Sequence, residues 1–169
     1  GVVMGSFWGL GAIYALAQTK DPSFVPAFIA ANIIGGALAQ YPIGMASDRV
    51  DRRYVLAALC AASGASAFGL KLATSPETLL LGSFSFGAFA NSLYAVSLAK
   101  AADNSKREEF VTIGSSVLLL NALGSASAAL VVGWAMRSLG NGALFAFVGV
   151  ASLVTGVFII LQPPGRTAV

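Results

Sequence analysis

At 169 residues, with 57% apolar and only 10% charged side chains and a mean hydropathy of +0.81, the sequence lacks the charge that a hydrated globular surface requires. A water-soluble fold of this composition would expose far more apolar area than such folds tolerate, so lipid is the simpler solvent. The net charge of +3 comes from basic residues scattered at the edges of apolar runs, which excludes the continuous basic stripe of a nucleic-acid binder.

The first uncharged block, Gly1–Thr19, predicts a membrane span over about 2–19. It has no basic n-region and five comparable blocks follow, so a cleaved leader is not expected. The sequence opens at Gly1 without an initiator Met and reads as a fragment. Asp21-Pro22-Ser23 opens the second block, Pro22–Ser47, with a span over about 23–46. Pro26 and Pro42 lie inside it, and Pro42 favours a kink near its far end.

The third block, Tyr54–Leu70, is short, but Lys71 can snorkel and extend the span to about 54–72. Ser75-Pro76-Glu77 supplies an N-cap, a proline at the first helical position and an acid in the first turn. The fourth span follows over about 76–99 and the fifth over about 109–136. Gly140-Asn141-Gly142 turns the chain into the sixth, about 142–162, which Pro163-Pro164 stops. Runs such as Val131-Val132-Gly133-Trp134-Ala135 are apolar on both parities, unlike barrel strands. The fold class expected is therefore all-α and integral to the membrane, a single six-helix bundle over 1–169.

Small residues four apart, Gly5/Gly9, Gly35/Ala39 and Gly124/Ala128, mark faces where helices approach closely. The connections alternate in charge. Arg49, Arg52 and Arg53 follow the second span, Lys100, Lys106 and Arg107 the fourth, and Arg166 lies in the tail, whereas Lys20, Lys71 and Arg137 stand alone. The positive-inside rule then puts the second and fourth loops and both ends of this segment in the cytoplasm, with a bacterial inner membrane the natural setting.

One loop is specific. Gly44-Met45-Ala46-Ser47-Asp48-Arg49-Val50-Asp51-Arg52-Arg53 reads Gly, three residues, Asp-Arg, two residues and a basic pair. It resembles the cytoplasmic signature of major facilitator superfamily transporters between the second and third helices of a six-helix half. The preceding Gly35–Ile43 and the following Tyr54-Val55-Leu56 resemble that family too, while Asp51 stands where it usually has glycine. The resemblance implies two inverted three-helix repeats, spans one to three and four to six, although no internal sequence match is evident. It also implies that Gly44, Asp48, Arg49, Arg52 and Arg53 form a latch between cytoplasmic helix ends in one state of alternating access. The bland alternative is a positive-inside anchor, which needs only the three arginines. The short tail after the sixth span suggests the C-terminal half.

By the same analogy the first and fourth helices line a central cavity, with the second and fifth contributing. The candidates are Trp8, Tyr14, Asn32, Gln40, Phe84, Asn91, Tyr94 and Asn121. For each, the alternative is an interhelical hydrogen bond, worth about 0.6 kcal/mol in membranes, or an interfacial aromatic. No ionisable residue lies deep in a span and there is no His, so a coupling proton would titrate elsewhere. Cys60 reads as a packing residue, and no phosphate loop, paired carboxylates or metal-spaced ligands appear. Neither a cofactor, a metal nor an enzymatic activity is expected.

The partners expected are the lipid bilayer, a second six-helix half (the same chain upstream, a separate chain or a second copy) and an unidentified small-molecule substrate. The main alternative is a non-transporting structural or assembly subunit among other membrane subunits. A different six-helix transporter or channel would make the Gly44–Arg53 pattern coincidental.

Overall fold

The computed structural model describes residues 1–103 and 110–161, so Lys106, Arg107, Pro163-Pro164 and Arg166 lie outside the described residues. Among the described residues there are six helices: α1 (Val2–Thr19), α2 (Phe24–Arg49), α3 (Arg52–Leu72), α4 (Pro76–Asp103), α5 (Phe110–Leu139) and α6 (Ala143–Leu161). All six are long and apolar enough to cross a membrane. Among the described residues there is no strand.

Local chemistry sets the ends. Lys20 closes α1 in the left-handed conformation, its N–H donating to Leu16 O at 2.8 Å. The Asp21 carboxylate then accepts from the Ser23 N–H (2.9 Å) and Oγ–H (2.7 Å), which turns the chain into α2 and holds that carboxyl below its usual range. Asp51 caps α3 by accepting from the Arg53 N–H at 2.9 Å. Ser75 and Thr78 exchange side-chain-to-backbone bonds at the start of α4, 3.3 and 3.1 Å, in the manner of a capping box. Gly140, at φ 87°, ends α5.

The helices pair by a rule. α2 packs along α4 as α1 packs along α5; α3 meets α4 as α6 meets α1; and α3 and α6 pack on each other. Exchanging the first three helices with the last three leaves this pattern unchanged, which is two inverted three-helix repeats around a pseudo-two-fold axis. With the contacts known, a sequence match does emerge between α2 and α5. Asn32-Ile33-Ile34-Gly35-Gly36-Ala37-Leu38-Ala39 aligns with Asn121-Ala122-Leu123-Gly124-Ser125-Ala126-Ser127-Ala128, and the same offset pairs Gly44 with Gly133 and Ala46 with Ala135. The match escapes inspection of sequence alone because it is confined to the stripe that touches the partner helix.

The packing explains that stripe. A Cβ on Gly35 would collide with Phe84 O of α4, and one on Gly36 with the Asn91 side chain. In the second repeat a Cβ on Gly5 of α1 would collide with Ser125 Cα of α5. Backbones thus approach closely where lipid provides no hydrophobic drive. Behind these pairs, Phe7, Tyr14, Phe28, Phe86 and Phe145 are fully buried and join α1, α2, α4 and α6. Tyr14 and Phe145 meet edge to face at 4.7 Å, and Phe7 and Phe86 lie tilted against each other at 5.5 Å. With α3 and α6 packed on each other, α1, α2, α4 and α5 border the opposite side of the bundle.

Candidate functional site

The loop singled out by its spacing sits at the junction of α2 and α3. Gly44 faces open space, with nothing within 4 Å of where a Cβ would stand. Asp48 pairs with Arg52 at 3.2 Å across one helical turn's separation, an exposed contact of little energetic weight. Arg49 is exposed. Arg53 does something different: its Nε–H donates to Ile159 O at 3.0 Å and its Nη2–H to Ile160 O. A guanidinium thus closes the carbonyl end of α6, where helices leave acceptors unsatisfied and carry partial negative charge. The sequence placed Arg53 in the cluster but could not foresee that target, which lies more than a hundred residues along the chain.

Between the cytoplasmic-type loop and α4 lies a small groove of about 130 Å³. Gln40, Gly44, Ser47 and Asp48 line it from α2, together with Arg52 and, from α4, Ser92, Val96 and Ala99. Gln40 therefore lies beside the Gly44–Arg53 loop. The other polar candidates divide into two groups.

Tyr14 is fully buried and its hydroxyl donates to Leu70 O at 2.6 Å, tying α1 to the end of α3. Asn32 is fully buried between α2 and α4: its Nδ2 donates to Ser83 O (3.4 Å), and its Oδ1 accepts from Asn91 Nδ2 (3.3 Å). Ser83 Oγ–H completes the clamp by donating to Phe28 O at 2.7 Å. Every member of this small network is thereby satisfied, which is the condition for a polar group to sit in an apolar bundle. The packing partners Ser83 and Leu70 were not anticipated; a buried serine carries no distinguishing signal in a sequence this rich in serine.

Trp8 (52% exposed) and Tyr94 (38% exposed) are the candidates that remain accessible, one on α1 and one on α4. Through the contacts Gly1–Asn121 and Gly5–Ser125 on one side, and Gly87–Asn32 and Gly36–Asn91 on the other, the two aromatics occupy equivalent places in the two repeats. Phe84 is half-buried against Gly35. Asn121 is half-buried beside Gly1, and with Tyr94 it borders a cavity of about 440 Å³ that also touches Cys60 and Ser152. Ser152 Oγ is buried there without a hydrogen-bond partner among the described residues. That cavity adjoins the first turn of α1, Gly1–Met4. Among the described residues no cluster of His, Cys, Asp or Glu could hold a metal ion.

Taken together, six apolar helices, repeated as two inverted triplets and bearing a Gly-x-x-x-Asp-Arg loop, define a six-helix membrane-spanning unit. The sequence profile of the Major Facilitator Superfamily matches residues 1–169, and the chain belongs to that family. It is similar to an "Uncharacterized MFS-type transporter" of Yersinia pestis (strain Pestoides F), 25% identical over 165 residues, covering 96% of this chain and 42% of the relative. It is equally similar to the "Uncharacterized MFS-type transporter YcaD" of Salmonella paratyphi B, 25% identical over 169 residues, covering 99% of this chain and 43% of the relative. The chain thus spans less than half the length of the curated relatives it matches. It is an integral membrane protein.

Proposed function

We propose that this chain is one six-helix half of a secondary active transporter that moves a small solute by alternating access. The observation that carries this reading is that Trp8 on α1 and Tyr94 on α4 are exposed at equivalent places of the two repeats, on helices that with α2 and α5 border one side of the bundle. A second six-helix half, covering that side, would enclose a cavity between the two walls. The relatives are long enough to contain such a half. In this arrangement Trp8, Tyr94 and the edges of Phe84, Asn91 and Asn121 face or border the solute. Tyr14 and Asn32 hold the wall together from behind. Among the described residues the wall carries no Asp, Glu, Lys, Arg or His, so a titrating carboxylate or imidazole for proton coupling would belong to the other half.

Gly44, Asp48, Arg49, Arg52 and Arg53 act at the cytoplasmic ends. Arg53 fixes α6 within this half, which leaves Gly44 and Asp48 as the groups open to the second half. The basic residues of this loop, with Lys100, support a cytoplasmic α2–α3 junction in a bacterial cell, with α1 entering from that side.

The test is sided labelling of the full-length protein in proteoliposomes, with cysteine in place of Trp8 or Tyr94 in an otherwise cysteine-free background. A membrane-impermeant maleimide is expected to reach each position from both faces of the membrane, because each state opens the cavity to one side. No labelling from either side would show that the face is permanently covered, as it would be in a structural subunit, and would remove the transporter reading.

A further inference from the structure

The offset that aligns Asn32 with Asn121 carries the whole latch groove onto the other end of the bundle. It pairs Gln40 with Ala129, Gly44 with Gly133, Ser47 with Met136, Asp48 with Arg137 and Arg52 with Asn141. Ala129, Gly133, Met136, Arg137 and Asn141 line a second groove, of about 580 Å³, between α5 and α1. On the α4 side of the first groove stand Val96 and Ala99; on the α1 side of the second stand Leu10 and Ile13, again equivalent through the helix contacts. Gly44 and Gly133 share a further property. Each has nothing within 4 Å of a Cβ position, whereas the glycines of the helix contacts, Gly5, Gly35 and Gly87, have no room for one. Within the described residues, close packing does not account for a glycine at either place.

We infer that the α1–α5 groove is a second latch, on the membrane face opposite Asp48, and that it receives a helix C-terminus of the second six-helix half. The inference rests on the transporter reading above. Gly133 leaves the groove open to a close approach. Charge selects the occupant: the groove ends in Arg137 where its counterpart ends in Asp48. Arg137 is exposed and makes no ion pair or hydrogen bond among the described residues. The carbonyls that end a helix carry about half a negative charge and lack donors, which a guanidinium supplies. Oppositely placed latches of this kind would each close one side of the cavity while the other is open, so that neither state is favoured by default. The free-energy difference between the states would then be small enough for solute or ion binding to reverse.

The test adds substitutions to full-length protein carrying the reporter cysteine at Trp8, and reads the ratio of labelling from the two faces. Gly133→Leu and Gly44→Leu fill open space and leave the bundle's own packing intact. Gly133→Leu and Arg137→Glu are expected to raise labelling from the Arg137 face by about fivefold or more, the lower end of measured couplings between sites, and Gly44→Leu to raise it from the Asp48 face. Arg137→Lys should stay near the parent ratio. A ratio that moves with Gly44→Leu but not with Gly133→Leu or Arg137→Glu overturns the second latch and leaves the transporter reading standing; shifts in the same direction also overturn it. A reporter that no substitution moves overturns both.

Discussion

Arg53 and Asn32 show how one side chain is committed by what lies opposite it. Arg53 bridges two carbonyls at the end of α6, a geometry a planar guanidinium makes and a lysine ammonium does not. Arg53→Lys and Arg53→Ala should both lower the thermal unfolding temperature in mild detergent, with Arg53→Ala costing about 1.5 kcal/mol, the lower range for hydrogen bonds to charged groups. Asp48→Asn should be nearly silent in the same scan, because its pair with Arg52 is exposed. For Asn32 and Asn91, a double-mutant cycle to alanine should return a coupling of about 0.6 kcal/mol. A coupling indistinguishable from zero would mean that the clamp is not formed in the membrane. The sequence marked both asparagines as polar groups in an apolar span. It could not say that each is satisfied by the other, because that depends on two helices meeting with Asn32 opposite Gly87 and Asn91.

At the level of elements, the pairing of α1 with α5 and of α2 with α4 was hidden for a physical reason. In a soluble helix the buried face is apolar and the wet face polar, so periodicity reveals orientation. Here the lipid-facing and protein-facing sides are both apolar. What remains is the distribution of small residues, and the sequence did mark Gly5, Gly35 and Gly124 as points of close approach. It could not distinguish those contacts from Gly44 and Gly133, which stand open. The distinction can be measured. Gly87→Ala would drive a methyl into the Asn32 carbonyl and should cost about 1–3 kcal/mol by overpacking, while Gly44→Ala should cost far less. The α1–α5 register has its own test. A Cβ on Gly9 would stand 3.4 Å from the Cβ of Ala129, close to the separation of about 3.5–4.5 Å that a disulfide spans. Cysteines at Gly9 and Ala129 should therefore cross-link under mild oxidant, seen as an intramolecular disulfide by mass spectrometry. Cysteines at Gly9 and Trp134 should not.

For the whole molecule, composition and the distribution of charges were enough to reveal six membrane helices, and the Gly44–Arg53 loop was enough to indicate the family. The inverted repeat followed from the family resemblance and is visible independently in how the helices pair. The candidate site was less legible. Of the eight polar and aromatic candidates, Tyr14 and Asn32 are wholly occupied in holding helices together, and Gln40 lies in the groove beside the Gly44–Arg53 loop. Trp8 and Tyr94 remain in symmetric, accessible places. Under the proposed function this half supplies one wall of a cavity, which a second half covers. Leu38 and Tyr41 on α2 and Trp134 on α5 are 65%, 74% and 71% exposed, apolar area that either lipid or a second six-helix half would cover. The most direct measurement places a photo-crosslinking residue at Tyr41, irradiates cells expressing the protein in its native membrane, and identifies the adduct by mass spectrometry. The account predicts an adduct within a second six-helix half, in the same polypeptide or in a partner of the same fold. Adducts only with lipid, or with membrane subunits of unrelated fold, would contradict it.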